Sequence, residues 1–252
     1  MGRVLAFIYG LIAYAAFLAA ILYAIGFLGR WVVPKHIDGG PAGPVGQAIV
    51  VNVLLLLLFA IQHTIMARPA FKTWWTRLVP TPIERSTFVL FASLLLLVLY
   101  WQWRAMPTIV WVIENPQVRG ALIALSLAGW AVVFYSSFLI DHFDLFGLRQ
   151  VFFYLCGRPY EHPSYMERSL YRLIRHPLMA GFIIAFWATP TMSQGHLLFA
   201  AVASAYIFFG TMMEERDLVK LLGDDYRRYR KRTPMILPIP KGRISAESRR
   251  EL

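Results

Sequence analysis

Four apolar stretches, Val4 to Leu28, Val45 to Met66, Thr87 to Trp103 and Gly120 to Ile140, restrict this chain to one kind of environment. Each holds roughly 17 or more nearly uncharged residues, enough for a helix to cross about 30 Å of hydrocarbon, where every backbone N–H and C=O must be satisfied within the segment. Two shorter stretches, Leu178 to Met192 and Leu197 to Met213, flank Ser193-Gln194-Gly195-His196 and read as a tight helical hairpin. The expected fold class is therefore all-α: an integral membrane helical bundle of about six (five to six) transmembrane helices, including that C-terminal hairpin. The first stretch runs past the usual length of a signal core and ends without a small-x-small cleavage site, which predicts that it is retained.

Charge sets the expected orientation. With six spans and both termini on one side, Arg3, the basic residues from Arg68 to Arg85, those from Arg149 to Arg175 and those from Arg216 onward share that side. Only Arg30, Lys35, Arg104 and Arg119 of the 25 basic residues then fall on the other. This bias marks the cytoplasmic face and predicts a multi-pass bacterial inner-membrane protein with both termini inside. It also explains the net charge of +11 without a nucleic-acid partner. Cys156 is the single cysteine, so neither an internal disulfide nor a cysteine-based metal site is expected. The Gly-rich run Gly39 to Gly46 follows no strand and lacks the Lys-Ser/Thr of a phosphate loop, and no dinucleotide fingerprint occurs elsewhere. Two regions of one integrated domain follow: residues 1–140, a four-span bundle, and residues 141–252, where apolar and charged segments alternate.

Ionisable groups at membrane depth face a protein interior or a watered cavity, and so locate chemistry. Four clusters qualify: Gln62-His63 followed by Arg68, Asp141-His142-Phe143-Asp144, Arg175-His176-Pro177, and Glu214-Glu215-Arg216-Asp217. All four belong to the cytoplasmic ends of their helices in the six-span topology. Pro177 suits a first helical turn, whose unpaired N–H groups, with Arg175 beside them, fit a carboxylate. Glu214 and Glu215 oppose the helix dipole unless their helix runs on. Arg175, an acid from Glu214 or Glu215, and the aromatics Tyr171, Tyr226 and Tyr229 together match a zwitterionic amino acid bearing a sulfonium centre and an adenine. From Glu214 to Lys231 the spacing of Leu218, Leu221, Leu222, Tyr226 and Tyr229 predicts an amphipathic cytoplasmic helix suited to anionic lipid.

Leu170-Tyr171-Arg172-Leu173-Ile174-Arg175-His176-Pro177, Gly181, a hairpin, then Glu214-Glu215, Gly223, Tyr226 and Tyr229 resemble the isoprenylcysteine carboxyl methyltransferase superfamily over about Tyr165 to Pro238. The run Gln62 to Arg68 with Phe71-Lys72, and Asp141 to Leu148, is similar to the branch holding the nitrite-reductase-associated membrane proteins and the bacterial methanethiol S-methyltransferases. The resemblance implies S-adenosylmethionine as cofactor, held by Arg175, His176, Pro177, Tyr171, Gly181, Glu214, Glu215, Tyr226 and Tyr229, and methyl transfer to a small thiol. A thiolate is the nucleophile, so a base beside it is needed. His142, flanked by Asp141 and Asp144, is the leading candidate and His63 the second. The two carboxylates are expected to favour the imidazolium form. His36, His162 and His196 read as loop or interface residues. Other readings stay open: a methyltransferase for a lipid-like carboxyl or amine, a non-enzymatic membrane protein of nitrogen-oxide metabolism, or a haem protein using His63 and His142.

Overall fold

A computed structural model describes residues 2–161 and 168–238; His162 and Tyr165 lie outside them. In chain order the helices are α1 (Arg3–Gly29), α2 (Val45–Ala67), α3 (Pro69–Trp75), α4 (Thr81–Gln102), α5 (Pro116–Ile140), α6 (His142–Leu145), α7 (Leu148–Leu155), α8 (Pro177–Trp187), α9 (Gln194–Leu222) and α10 (Asp224–Arg232). A short 3-10 turn, Ser169–Arg172, precedes α8. Strands β1 (Ile109–Val112) and β2 (Thr191–Ser193) pair antiparallel. Five helices, α1, α2, α4, α5 and α9, are long and apolar enough to cross a membrane. Their outward faces stay apolar, as at Leu54, Leu58 and Ile61 of α2, which is the surface a bilayer requires.

The expected fifth span takes a different form. Helix α8 has 11 residues, about 16 Å of rise, half of what a bilayer needs. Pro190 cannot continue a helix, and the chain leaves Trp187 extended. The six residues from Ala188 to Ser193 add about 20 Å. The segment therefore covers the same depth as α9, whose Glu215 meets Arg175 at one end and whose Gln194 follows β2 at the other. His196, expected in a loop, is instead buried in the first turn of α9, where Nε2–H donates to the Phe186 carbonyl at 2.9 Å. Ser193 caps that turn by accepting from His196 N–H. The amphipathic tail helix is broken in two at Gly223, whose φ of 60° ends α9 and starts α10.

The core gathers Phe27, Leu99, Trp103, Trp130, Phe186 and Phe199 from α1, α4, α5, α8 and α9. Helices α5 and α8 approach closest. A Cβ added to Gly129 would meet Ala185 N at 2.7 Å, and one added to Gly181 would meet Gly129 O at 2.7 Å. Small residues that let backbones touch are the main adhesive between helices in lipid. Ser126 strengthens this contact by donating to the Ala185 carbonyl. Gly129→Val should therefore destabilise the protein by about 1–3 kcal/mol, because neither backbone can retreat. Thermal unfolding in detergent checks this; an unchanged midpoint would show that the pair has room.

All four polar clusters lie at the end of the bundle formed by the start of α4 and the end of α9. Arg30, Lys35 and Arg104 bond at the opposite end, to Thr191, Trp101 and Asn52.

Candidate active site

The Arg175-His176-Pro177 corner is built by its own backbone and by the segment that follows α10. Pro177 opens α8 with His176 as its N-cap. Arg175 N–H donates to Pro234 O at 2.9 Å and His176 N–H to Met235 O at 3.0 Å, so the segment after α10 is laced onto the start of α8. Arg175, 7% exposed, donates through Nε to Glu215 Oε1 at 2.5 Å, and through Nη1 to the carbonyls of Arg230 and Thr233. Glu215 also takes His176 Nε2 at 3.2 Å and faces Arg230 Nε at 3.1 Å. It is a buried carboxylate serving three partners. Helix α9 runs on past both acids, which resolves the dipole conflict posed by their position.

Glu214 differs from its neighbour: its side chain is 49% exposed, with His176 Nδ1 at 3.8 Å. Burial and Glu214 together push the Tyr171 phenol above its ordinary range, which places the two in one field. Tyr226 and Tyr229 are both buried and meet ring to ring at 5.8 Å, and Tyr229 O–H donates to Tyr171 O at 2.5 Å. Gly181 lies in the α5–α8 contact, one turn beyond this corner.

The second cluster forms around α6. Asp141 caps it, accepting from Asp144 N–H, and its carboxylate is ion-paired with Arg149 of α7. Asp144 accepts from Tyr160 O–H at 2.5 Å and from Gln150. His142 is 3% exposed and stacked on Phe138 at 4.2 Å. Burial pushes its imidazole below the ordinary value of 6.5; Asp141 opposes this without reversing it. The expected imidazolium is therefore disfavoured, because burial outweighs Asp141, whose carboxylate is engaged by Arg149. His63 stands apart, bonded to Tyr206 at 3.0 Å and packed on Phe88.

Arg85, in the first turns of α4, joins these clusters and was not singled out from the sequence. Its Nε donates to Leu145 O of α6 at 2.8 Å, its guanidinium lies 4.9 Å over the Phe88 ring, and it is within Coulombic reach of Glu84, Asp144, Tyr160 and Glu214. Lys72 of α3 belongs to the same field, its ammonium pushed down by burial and by Arg85. In the sequence Arg85 stands two residues before the apolar run from Thr87 and reads as one more basic residue of the preceding loop. The structure brings Arg85, with Lys72 in its field, within electrostatic reach of the half-exposed Glu214. Buried polar atoms with no partner among the described residues occur at this same end, including Glu84 Oε1, Gln62 Oε1, Gln150 Oε1 and Trp75 Nε1. Such atoms call for a polar ligand or water. Glu214, a half-exposed carboxylate beside His176 and the Tyr171 phenol, fits an ammonium, so the residues present suit S-adenosylmethionine.

The family described as NnrU protein matches residues 51–214. Over 236 residues, 94% of this chain and 83% of the relative, the sequence is 53% identical to methanethiol S-methyltransferase 1 of Bradyrhizobium diazoefficiens. Over 240 residues, 95% and 98% of the two chains, it is 55% identical to methanethiol S-methyltransferase of Mycobacterium tuberculosis. A more distant likeness, 30% over 176 residues covering 68% and 70%, joins it to the Nurim homolog of Drosophila pseudoobscura pseudoobscura. No solved structure matches the chain.

Proposed function

We propose, from the premise that this chain belongs to the NnrU protein family together with the methanethiol S-methyltransferases, that it is a membrane-embedded thiol S-methyltransferase converting methanethiol to dimethyl sulfide. The observation that carries this reading is identity above one half, over nearly the whole chain, with proteins of that name.

The methyl donor in this reading is S-adenosylmethionine, whose sulfonium supplies an electrophilic methyl group. Glu214 would hold the donor's ammonium, and His176 and the N-terminus of α8 would hold its carboxylate. Arg175 and Glu215 hold that corner rigid, Tyr171 offers its ring, and Tyr226 and Tyr229 pack behind it. Gly181 lets α8 close on α5, which fixes where His176 points. Arg85 keeps α6 against this pocket, and His142 is the base on which the thiol proton ends. The basic residues gathered at the site end favour a cytoplasmic orientation for the site and both termini, in a bacterial inner membrane. The exposed arginines of α10 support contact with anionic lipid.

The experiment is gas-phase detection of dimethyl sulfide from purified protein supplied with methanethiol and S-adenosylmethionine. A volatile product that depends on both is expected. Absence of product, with methylation of a lipid-like carboxyl or amine instead, would overturn the reading.

A further inference from the structure

His142 cannot touch a substrate. Its ring is buried, one face is covered by Phe138, and both nitrogens are occupied by hydroxyls: Nδ1 by Ser137 Oγ at 2.8 Å and Nε2 by Tyr14 Oη at 2.8 Å. The proton positions follow from what each partner has left to give. Ser137 spends its single hydroxyl proton on the Phe134 carbonyl at 2.6 Å, so its oxygen must accept from His142 Nδ1–H. Nε2 is then the bare nitrogen, and it accepts from Tyr14 O–H. Ser137 is itself 2% exposed and sealed in α5. Tyr14 is only partly buried, on a helix that lies outside the matched family region.

We propose that Tyr14 is the group that meets the thiol, relaying its proton to His142; this rests on the thiol methyltransferase reading above. The thiol S–H bond breaks as its proton passes to Tyr14 Oη, while the Tyr14 proton passes to His142 Nε2, leaving tyrosine neutral and imidazole charged. The thiolate lone pair then forms the new S–C bond, and the electron pair of the broken methyl–sulfonium bond stays on the donor sulfur. Ser137 fixes the tautomer that makes this possible, which is a positioning role. The approach is mostly apolar: a cavity of about 550 Å³ is lined by Phe7, Leu11, Phe143 and Phe152 together with the Asp141–Arg149 ion pair, and Tyr14, one helical turn from Leu11, meets its wall through ring contact with Phe143 at 6.3 Å. Small alkanethiols partition into such walls. The charged groups bearing on His142 are Asp141, held by Arg149 of α7, and Asp144; Arg85 of α4 grips the α6 carbonyl at Leu145.

The test compares Tyr14→Phe with wild type on methanethiol and on the more acidic benzenethiol, across pH. At neutral pH the variant should lose about 10²–10³-fold in kcat on methanethiol, and less than about 10-fold on benzenethiol, which needs little help to ionise. A second readout needs no methyl donor: nitrogen NMR of histidine in protein mixed with benzenethiol should show a new imidazolium in wild type and none in Tyr14→Phe. A uniform deficit across both thiols, or imidazolium formation unchanged by the substitution, would overturn the relay while leaving the methyltransferase reading intact. A wild type that forms no dimethyl sulfide would sink that reading instead, and the NMR signal would still report on the relay.

Discussion

A Glu215→Ala variant is expected to lose S-adenosylhomocysteine binding and about 3–5 kcal/mol of stability, the scale for breaking a buried ion pair by removing one partner. The carboxylate is 4% exposed and satisfies Arg175, His176 and Arg230 at once. Its loss leaves the Arg175 guanidinium buried, with two carbonyls but no counter-charge. Because such a variant risks general misfolding, Glu214→Gln is the informative companion. That side chain is half exposed, so the fold should survive and only affinity should fall. Calorimetric titration and thermal unfolding, run together, separate the two. Wild-type affinity in both variants would remove this corner from the cofactor pocket.

His142→Ala is expected to lower kcat by about 10²–10⁴-fold, the range for a positioned general base, with S-adenosylhomocysteine affinity unchanged. The pH profile carries the sharper signature. A base must be neutral to accept a proton. Burial holds the imidazole below the ordinary value of 6.5, so the neutral form dominates at pH 7, and the wild-type rate should fall only as pH drops through that lowered value. The acid limb therefore lies below pH 6.5 and should vanish in the variant. A limb that persists in His142→Ala would assign the titration to another group, with His63 next to be substituted.

The apolar runs located α1 and α2 to within one residue and the C-terminal ends of α4 and α5 equally well, because the hydrocarbon requirement is local in sequence, but they missed the more polar first turns of α4 and α5. Where the reading departed from the structure, the deciding contact was distant. Leu178 to Met192 looks like a span, yet the helix stops at Trp187 because Pro190 and a strand partner some 80 residues away, Ile109–Val112, take over. The grouping of Arg175, His176 and Glu215 was legible, since each stands out as a charge among apolar residues. The protonation of His142 was not: it depends on burial, against which Asp141, drawn off by Arg149, gives too little, and its tautomer depends on hydroxyls including one 128 residues earlier. Tyr14 itself is one aromatic in an apolar helix and carries no signal until the helices are assembled. Gly223 was visible as a helix breaker but was overridden by the hydrophobic spacing on either side of it.

The lacing of Arg175 to the end of the chain has a consequence for how the protein is made. Its partners lie 40, 55 and 58 residues downstream, and its backbone waits for Pro234. While translation is still producing α9, the four spans α1, α2, α4 and α5 and the shorter α8 have already been made, but the corner that would hold a nucleoside has no means of closing. A ribosome that stalls before Thr233 leaves an inserted protein with an open, unpaired arginine. The Arg175 corner thus assembles only once Met235 has been made.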